Sequence, residues 1–218
     1  MTLRLHCFGE SGNAYKVALM LSLSGADWEP VFVDFFNGAT RGPAFRALNP
    51  MGEVPVLEDG DRILSQSGAI LDHLAGRTGA FAAASEEERT EILRWLLWDS
   101  QKMSGQAGAA RFLENFLSPE KRPAAVIDWL RGRLRTALQV LDGVLGSRDW
   151  LVGGRPTIAD LACCGYLYYP EPFGFDRAAW ANIDAWLGRI AALDGWAHPY
   201  DLMPRGFPPG DAARGGTR

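Results

Sequence analysis

A serine stands where an apolar strand pattern gives way to a helical one, in "ESGNAYKVALML" (10–21). The Ser11 hydroxyl can donate one hydrogen bond, and the positive end of the helix it opens favours negative charge. Together they suit an anion held at that point, although the same serine serves equally as the helix N-cap. Gly12 offers close backbone approach, and Asn13 brings an amide to the same place. A second junction of this kind is Gln66-Ser67, where "RILSQ" passes into "SGAILDHLAGR". The unpaired N–H groups of a helix's first turn form an anion site there, with plain capping by Ser67 as the other reading. Val54-Pro55 opens "VPVLED", and a proline is tolerated at the first residue of a strand.

The elements that must carry these residues follow from periodicity. "LRLHCF" (3–8) alternates Leu3, Leu5 and Cys7 against Arg4, His6 and Phe8, as a half-buried strand does. A helix is expected over about 13–24, with Val17, Met20, Leu21 and Ser24 on one stripe and Gly25 at its end. "EPVFVDF" (29–35) is a second strand, which makes a βαβ unit. A short helix near Pro43 to Leu48 follows, then a hairpin about Gly60 and the helix "SGAILDHLAGR". The order βαβ, α, ββα is a thioredoxin-like pattern over residues 1–78.

After a small-residue linker (79–86), only helical patterns remain over 87–205. One carries Ile92, Leu93, Leu96 and Leu97; another carries Val126, Leu130, Leu134, Leu138, Leu141 and Leu145. Thr157-x-x-Asp160 is a capping-box variant, read as structural, and "AAWANIDAWLGRIAAL" is a last long helix. The tail 206–218 is rich in Gly, Pro and charge and is expected to be disordered. The fold class expected is α+β: a thioredoxin-like α/β domain followed by an all-helical one.

Composition narrows the function. A net charge of −4 argues against general attraction to nucleic acid or to an anionic membrane. No apolar run approaches the roughly 18 residues of a membrane span. "MTLRLHCFGE" lacks the features of a signal peptide, so the expected location is the cytoplasm. Cys7, Cys163 and Cys164 form neither a disulfide framework nor a zinc spacing, and read as small buried hydrophobes. His6, His73 and His198 form no cluster, and no metal is expected.

Three stretches, "SGNAYKVALML", "NPMGEVPVLEDGDRILSQSGAILDHLA" (49–75) and "GGRPTIADLACCGYL" (153–167), together with the two-domain order, resemble the soluble glutathione transferase family. The likeness is to its serine-type, theta- and zeta-like bacterial members, over roughly residues 3–205. The resemblance implies glutathione as co-substrate, a small hydrophobic electrophile and a homodimer. It makes Ser11 the donor to the glutathione sulfur, with Asn13 sharing that task or simply beginning the helix. A thiol of pKa about 8.5 is mostly protonated at neutral pH, so holding the thiolate is the catalytic problem.

By the same resemblance, Gln66 and Ser67 take the γ-glutamyl group, Pro55 is cis, and Val54 pairs with the cysteinyl backbone. The glycine carboxylate falls to the Glu53 backbone or to Arg41. Gly12, Met103, Gln106, Phe112 and Phe116 are candidates for the electrophile pocket between the domains; core packing is the other reading of the two phenylalanines. Asp99 is the candidate for the partner-subunit acid at the γ-glutamyl amine. Oxidoreductases of this fold need a cysteine at the Ser11 position, and the tyrosine-type enzymes need a tyrosine before Tyr15; this chain has neither. The expected function is thus glutathione conjugation. A glutathione-dependent isomerase or dehalogenase and a non-catalytic scaffold of the same fold are the alternatives.

Overall fold

The computed structural model describes residues 2–207. Strand β1 (Leu3–Cys7), helix α1 (Gly12–Leu23) and strand β2 (Trp28–Phe32) form a βαβ unit whose strands are parallel. Helix α2 (Pro43–Leu48) leads to the hairpin of β3 (Val56–Asp59) and β4 (Arg62–Ser65), turned at Gly60 with φ +61°. The sheet order is β2-β1-β3-β4, with β3 antiparallel to β1. Helix α3 (Ser67–Thr78) completes this part.

The helical part comprises α4 (Glu86–Trp98), α5 (Gly105–Asn115), α6 (Ala124–Leu145), α7 (Ile158–Cys163), α8 (Ala181–Ala191) and α9 (Pro199–Leu202). Ser85 caps α4 by accepting from the Glu88 N–H at 3.2 Å. Thr157 and Asp160 form a reciprocal capping box at α7. Asp160 also accepts from the Leu151 N–H at 2.9 Å and the Trp186 indole at 3.0 Å, so it ties α7 to α8 and to the loop after α6.

Several details differ from the periodicity reading. Helix α1 is buried on every side rather than on one stripe, because the sheet lies on one flank and the helical part on the other. Even Lys16 is buried, and its ammonium pairs with Asp99 and donates to Ser104 Oγ at 2.7 Å. Strand β2 stops at Phe32, short of Phe35, where Asp34 accepts from the Asn37 side chain and turns the chain. On α4, Leu93 and Leu97 are 55% and 65% exposed, while Ile92 and Leu96 are buried. On α6, Ile127 replaces Val126 on the buried stripe. Between α4 and α5 the chain makes a π-helical turn over Asp99–Ser104. Of the expected disordered tail, Gly206 and Phe207 are ordered against Glu10, and 208–218 lie outside the described residues.

Candidate active site

Ser11 is the N-cap of α1, and its Oγ accepts from the Ala14 N–H at 3.2 Å. A hydroxyl has one donor and two lone pairs, so capping uses a lone pair and leaves the O–H. Capping therefore does not use up the donor that the other reading of this serine needs. Asn13, in the first turn, accepts from Ser67 Oγ at 3.4 Å, which links the α1 and α3 mouths. Gly12 has a packing role of its own. A Cβ there would meet the Tyr166 ring at 2.6 Å, so its small size seats Tyr166.

The Val54–Pro55 peptide is cis. The loop before it is fixed by buried Asn49, which donates to the Glu53 carbonyl at 2.8 Å. Gln66 precedes α3 with φ 70° and ψ 112°, and donates to the Glu53 carboxylate at 3.1 Å. No side chain caps α3, so its first-turn amides remain available to an anion. Asn13, Glu53, Val54, Pro55, Gln66 and Ser67 line one small cleft of about 100 Å³, with Ser100, Ser104 and Gly105 across it.

A larger cleft of about 320 Å³ adjoins it and shares Asn13, Glu53 and Val54. Ser11 lies in its wall, beside Phe8, Phe35, Phe36, Phe112, Phe116 and Tyr166. Phe8 stacks on Phe35 at 4.8 Å, and Phe36 meets Phe116 at 5.1 Å. Burial pushes the Tyr166 phenol up to about 12, so it stays protonated at neutral pH. Arg111, also in this wall, is buried and donates to the Glu10 carbonyl at 2.6 Å, to Glu171 at 2.7 Å and to the Tyr200 hydroxyl at 2.8 Å. Burial works to raise the Glu171 carboxyl, but the Arg111 charge and the Tyr200 hydroxyl outweigh it and hold the group below the usual carboxylate range.

Of the residues expected in the electrophile pocket, Phe112 and Phe116 line this cleft and Met103 and Gln106 do not. Met103 is buried in the core, and Gln106 donates to the Gln101 carbonyl beside a separate hollow on α5 and α6. The π-helical turn re-phases the chain just before α5 and directs these two side chains away from the cleft. Asp99 is buried against Lys16, at the inner end of the groove between α3 and α4. Arg41 is exposed and outside both clefts. Cys7, Cys163 and Cys164 are buried free thiols, and burial pushes all three up, Cys7 to about 12. Glu10, Arg111 and Tyr166 were not singled out from sequence.

Family models for the glutathione S-transferase N-terminal domain and C-terminal domain match residues 1–76 and 109–194. Glutathione S-transferase 3 of Zea mays is 30% identical, covering 97% of this chain and 99% of that protein. A disulfide-bond oxidoreductase of Escherichia coli is 29% identical over 84% of this chain and 87% of its own. A maleylacetoacetate isomerase of Pseudomonas aeruginosa is also 29% identical, over 90% and 92%. The crystal structure of a glutathione S-transferase from Xanthobacter autotrophicus superposes with a TM-score of 0.84 at 35% identity, covering 92% of this chain and 98% of the other. A thioredoxin-like sheet with an all-helical partner and a split cleft defines the class, and the chain belongs to the glutathione S-transferase family of transferases.

Proposed function

We propose that the chain conjugates glutathione to a small apolar electrophile, with Ser11 holding the glutathione sulfur as a thiolate. The observation that carries this reading is the Ser11 hydroxyl, which accepts from Ala14 and, among the described residues, donates to none. Its O–H and the positive end of α1 both favour the charged sulfur. Each pKa unit of lowering corresponds to about 1.4 kcal/mol, so two modest interactions bring the thiolate to a useful fraction. Gln66, Ser67 and the open end of α3 take the γ-glutamyl group, and the Val54 backbone pairs with the cysteinyl unit as an added strand would. Asn13 braces Ser67, and Glu53 orients Gln66. The sulfur then bonds to the electrophilic carbon in the aromatic cleft, and the leaving group departs with its electron pair.

Initial rates of aryl chloride conjugation test the reading. Ser11→Ala is expected to lower the rate about 10- to 100-fold, the worth of one hydrogen bond to a charged group. An unchanged rate removes Ser11 from the chemistry. Likeness to the maleylacetoacetate isomerase supports a second reading, in which the thiolate adds and is later expelled. Glutathione regenerated after each turnover identifies that reaction, and a stable thioether counts against it. Exchange through a protein thiol has no nucleophile here, since all three cysteines are buried with raised pKa values. Glutathione that fails to bind in calorimetry would leave a scaffold role.

A homodimer belongs to the same reading. A groove of about 540 Å³ between α3 and α4 is lined by exposed Leu93 and Leu97 and reaches Gln66 and Ser67. A second copy seated there would cover this apolar face beside the γ-glutamyl subsite. Light scattering should give a dimer mass for the wild type and a monomer mass for Leu97→Glu. Cytoplasmic residence completes the reading; among the described residues, no helix is long and apolar enough to cross a membrane.

A further inference from the structure

The segment after α9 folds back onto the loop that carries Ser11. The Gly9 N–H donates to the Pro204 carbonyl at 2.7 Å. The Glu10 carboxylate, buried one residue before Ser11, accepts from the Gly206 N–H at 2.9 Å and the Phe207 N–H at 3.0 Å. Arg205 Nε approaches the same carboxylate at 3.4 Å. Hydrogen bonds from successive amides to an ionised carboxylate are short, directional and stronger than neutral ones.

This latch sets Phe207 edge-on to Phe36 at 4.2 Å and at 5.6 Å from Phe116, and both of these rings line the larger cleft. Gly206 lies so near Phe36 that a Cβ on it would come within 2.9 Å of the ring. Phe36 sits on the loop after β2, and Phe116 is the C-cap residue of α5, so neither ring is anchored inside a regular element. Phe207 packs against both. The edge-to-face contact fixes the orientation of Phe36 as well as its place, and the tilted contact backs Phe116.

We propose that Glu10 and Phe207 are positioning residues for the electrophile. The latched segment Arg205–Phe207 holds Phe36 and Phe116 as walls of an aromatic slot, which favours a flat aromatic electrophile over an alkyl one. The proposal rests on the glutathione-conjugation reading above.

Calorimetry on the full chain, using glutathione, S-(dinitrophenyl)glutathione and S-methylglutathione, tests it without requiring turnover. Wild type is expected to bind the aryl conjugate more tightly than the methyl one. Phe207→Ala and Glu10→Gln should each weaken the aryl conjugate about tenfold while leaving the other two ligands within about twofold. Gly206→Ala, which pushes into the Phe36 ring, should also lower aryl affinity selectively. Phe207→Tyr should retain it. Equal loss for all three ligands, or no loss for any, overturns the proposal. A wild type that binds glutathione but shows no aryl preference overturns the slot alone, whereas one that binds no glutathione overturns the conjugation reading and the slot with it. If Glu10→Gln does not fold, Phe207→Ala, at a partly exposed position, decides the question.

Discussion

On the proposed reading Ser11 does two things with one oxygen, capping α1 and holding the sulfur, and they can be separated. Ser11→Ala removes the α1 cap as well as the donor, so it should cost about 1 kcal/mol of stability, a fall of about 2–4 °C in thermal midpoint for a chain of this size. Ser11→Thr keeps a hydroxyl that can do both, and should stay near wild type in melting and retain far more activity than Ser11→Ala. Melting curves and initial rates on the same preparations check this. The places of Ser11, Gln66 and Ser67 at helix mouths were legible in the sequence, because a helix mouth is a local event whose free N–H groups follow from the chain itself. Arg111 was not, since on α5 it looks like any surface charge. Glu171, Tyr200, the Glu10 carbonyl and the Tyr169 ring, brought from distant segments, bury it. The packing of Gly12 was hidden for the same reason, because Tyr166, the ring it makes room for, lies far along the chain.

Among the elements, the βαβ unit, the hairpin and the α7 capping box could be read from sequence, each having a period or a turn of its own. The α4–α5 segment could not, because a π-helical turn adds residues without breaking the helical look of the sequence. That turn carries the Met103 and Gln106 expectations to the wrong side. The α7 box has a large measurable consequence. Asp160→Ala strands the Leu151 and Thr157 amides and the Trp186 indole, and should cost on the order of 3 kcal/mol or more in urea unfolding. The β3–β4 hairpin has a pH-dependent one. His73, hydrogen-bonded to Asp59 and opposed by partial burial, and then Arg77, hold the Asp59 carboxyl below the usual range. A depressed folded pKa gives stability that is complete above the unfolded value of about 4 and lost as pH falls through the folded one. Asp59→Asn should therefore lower the thermal midpoint near neutral pH and leave it unchanged in strong acid.

At the scale of the molecule, the two-part order was legible, but the contact between the parts was not. Lys16, a charge within an apolar helix, gave no sign that its partner was Asp99, on the turn after α4. Removing one member of such a buried pair costs about 3–5 kcal/mol, and replacing both with apolar residues costs far less. Lys16→Met alone should be strongly destabilising, and Lys16→Met with Asp99→Leu should recover much of the loss, as a double-mutant cycle in urea would measure. Sheet, helical part and both clefts all lean on α1, which is buried along its length. A helix in that position has no partial opening that spares the rest of the protein. Its backbone amides should be the slowest in the chain to exchange with deuterium, at the free energy of global unfolding. The amides of Phe35 and Phe36, in the loop at the cleft wall, should exchange long before them.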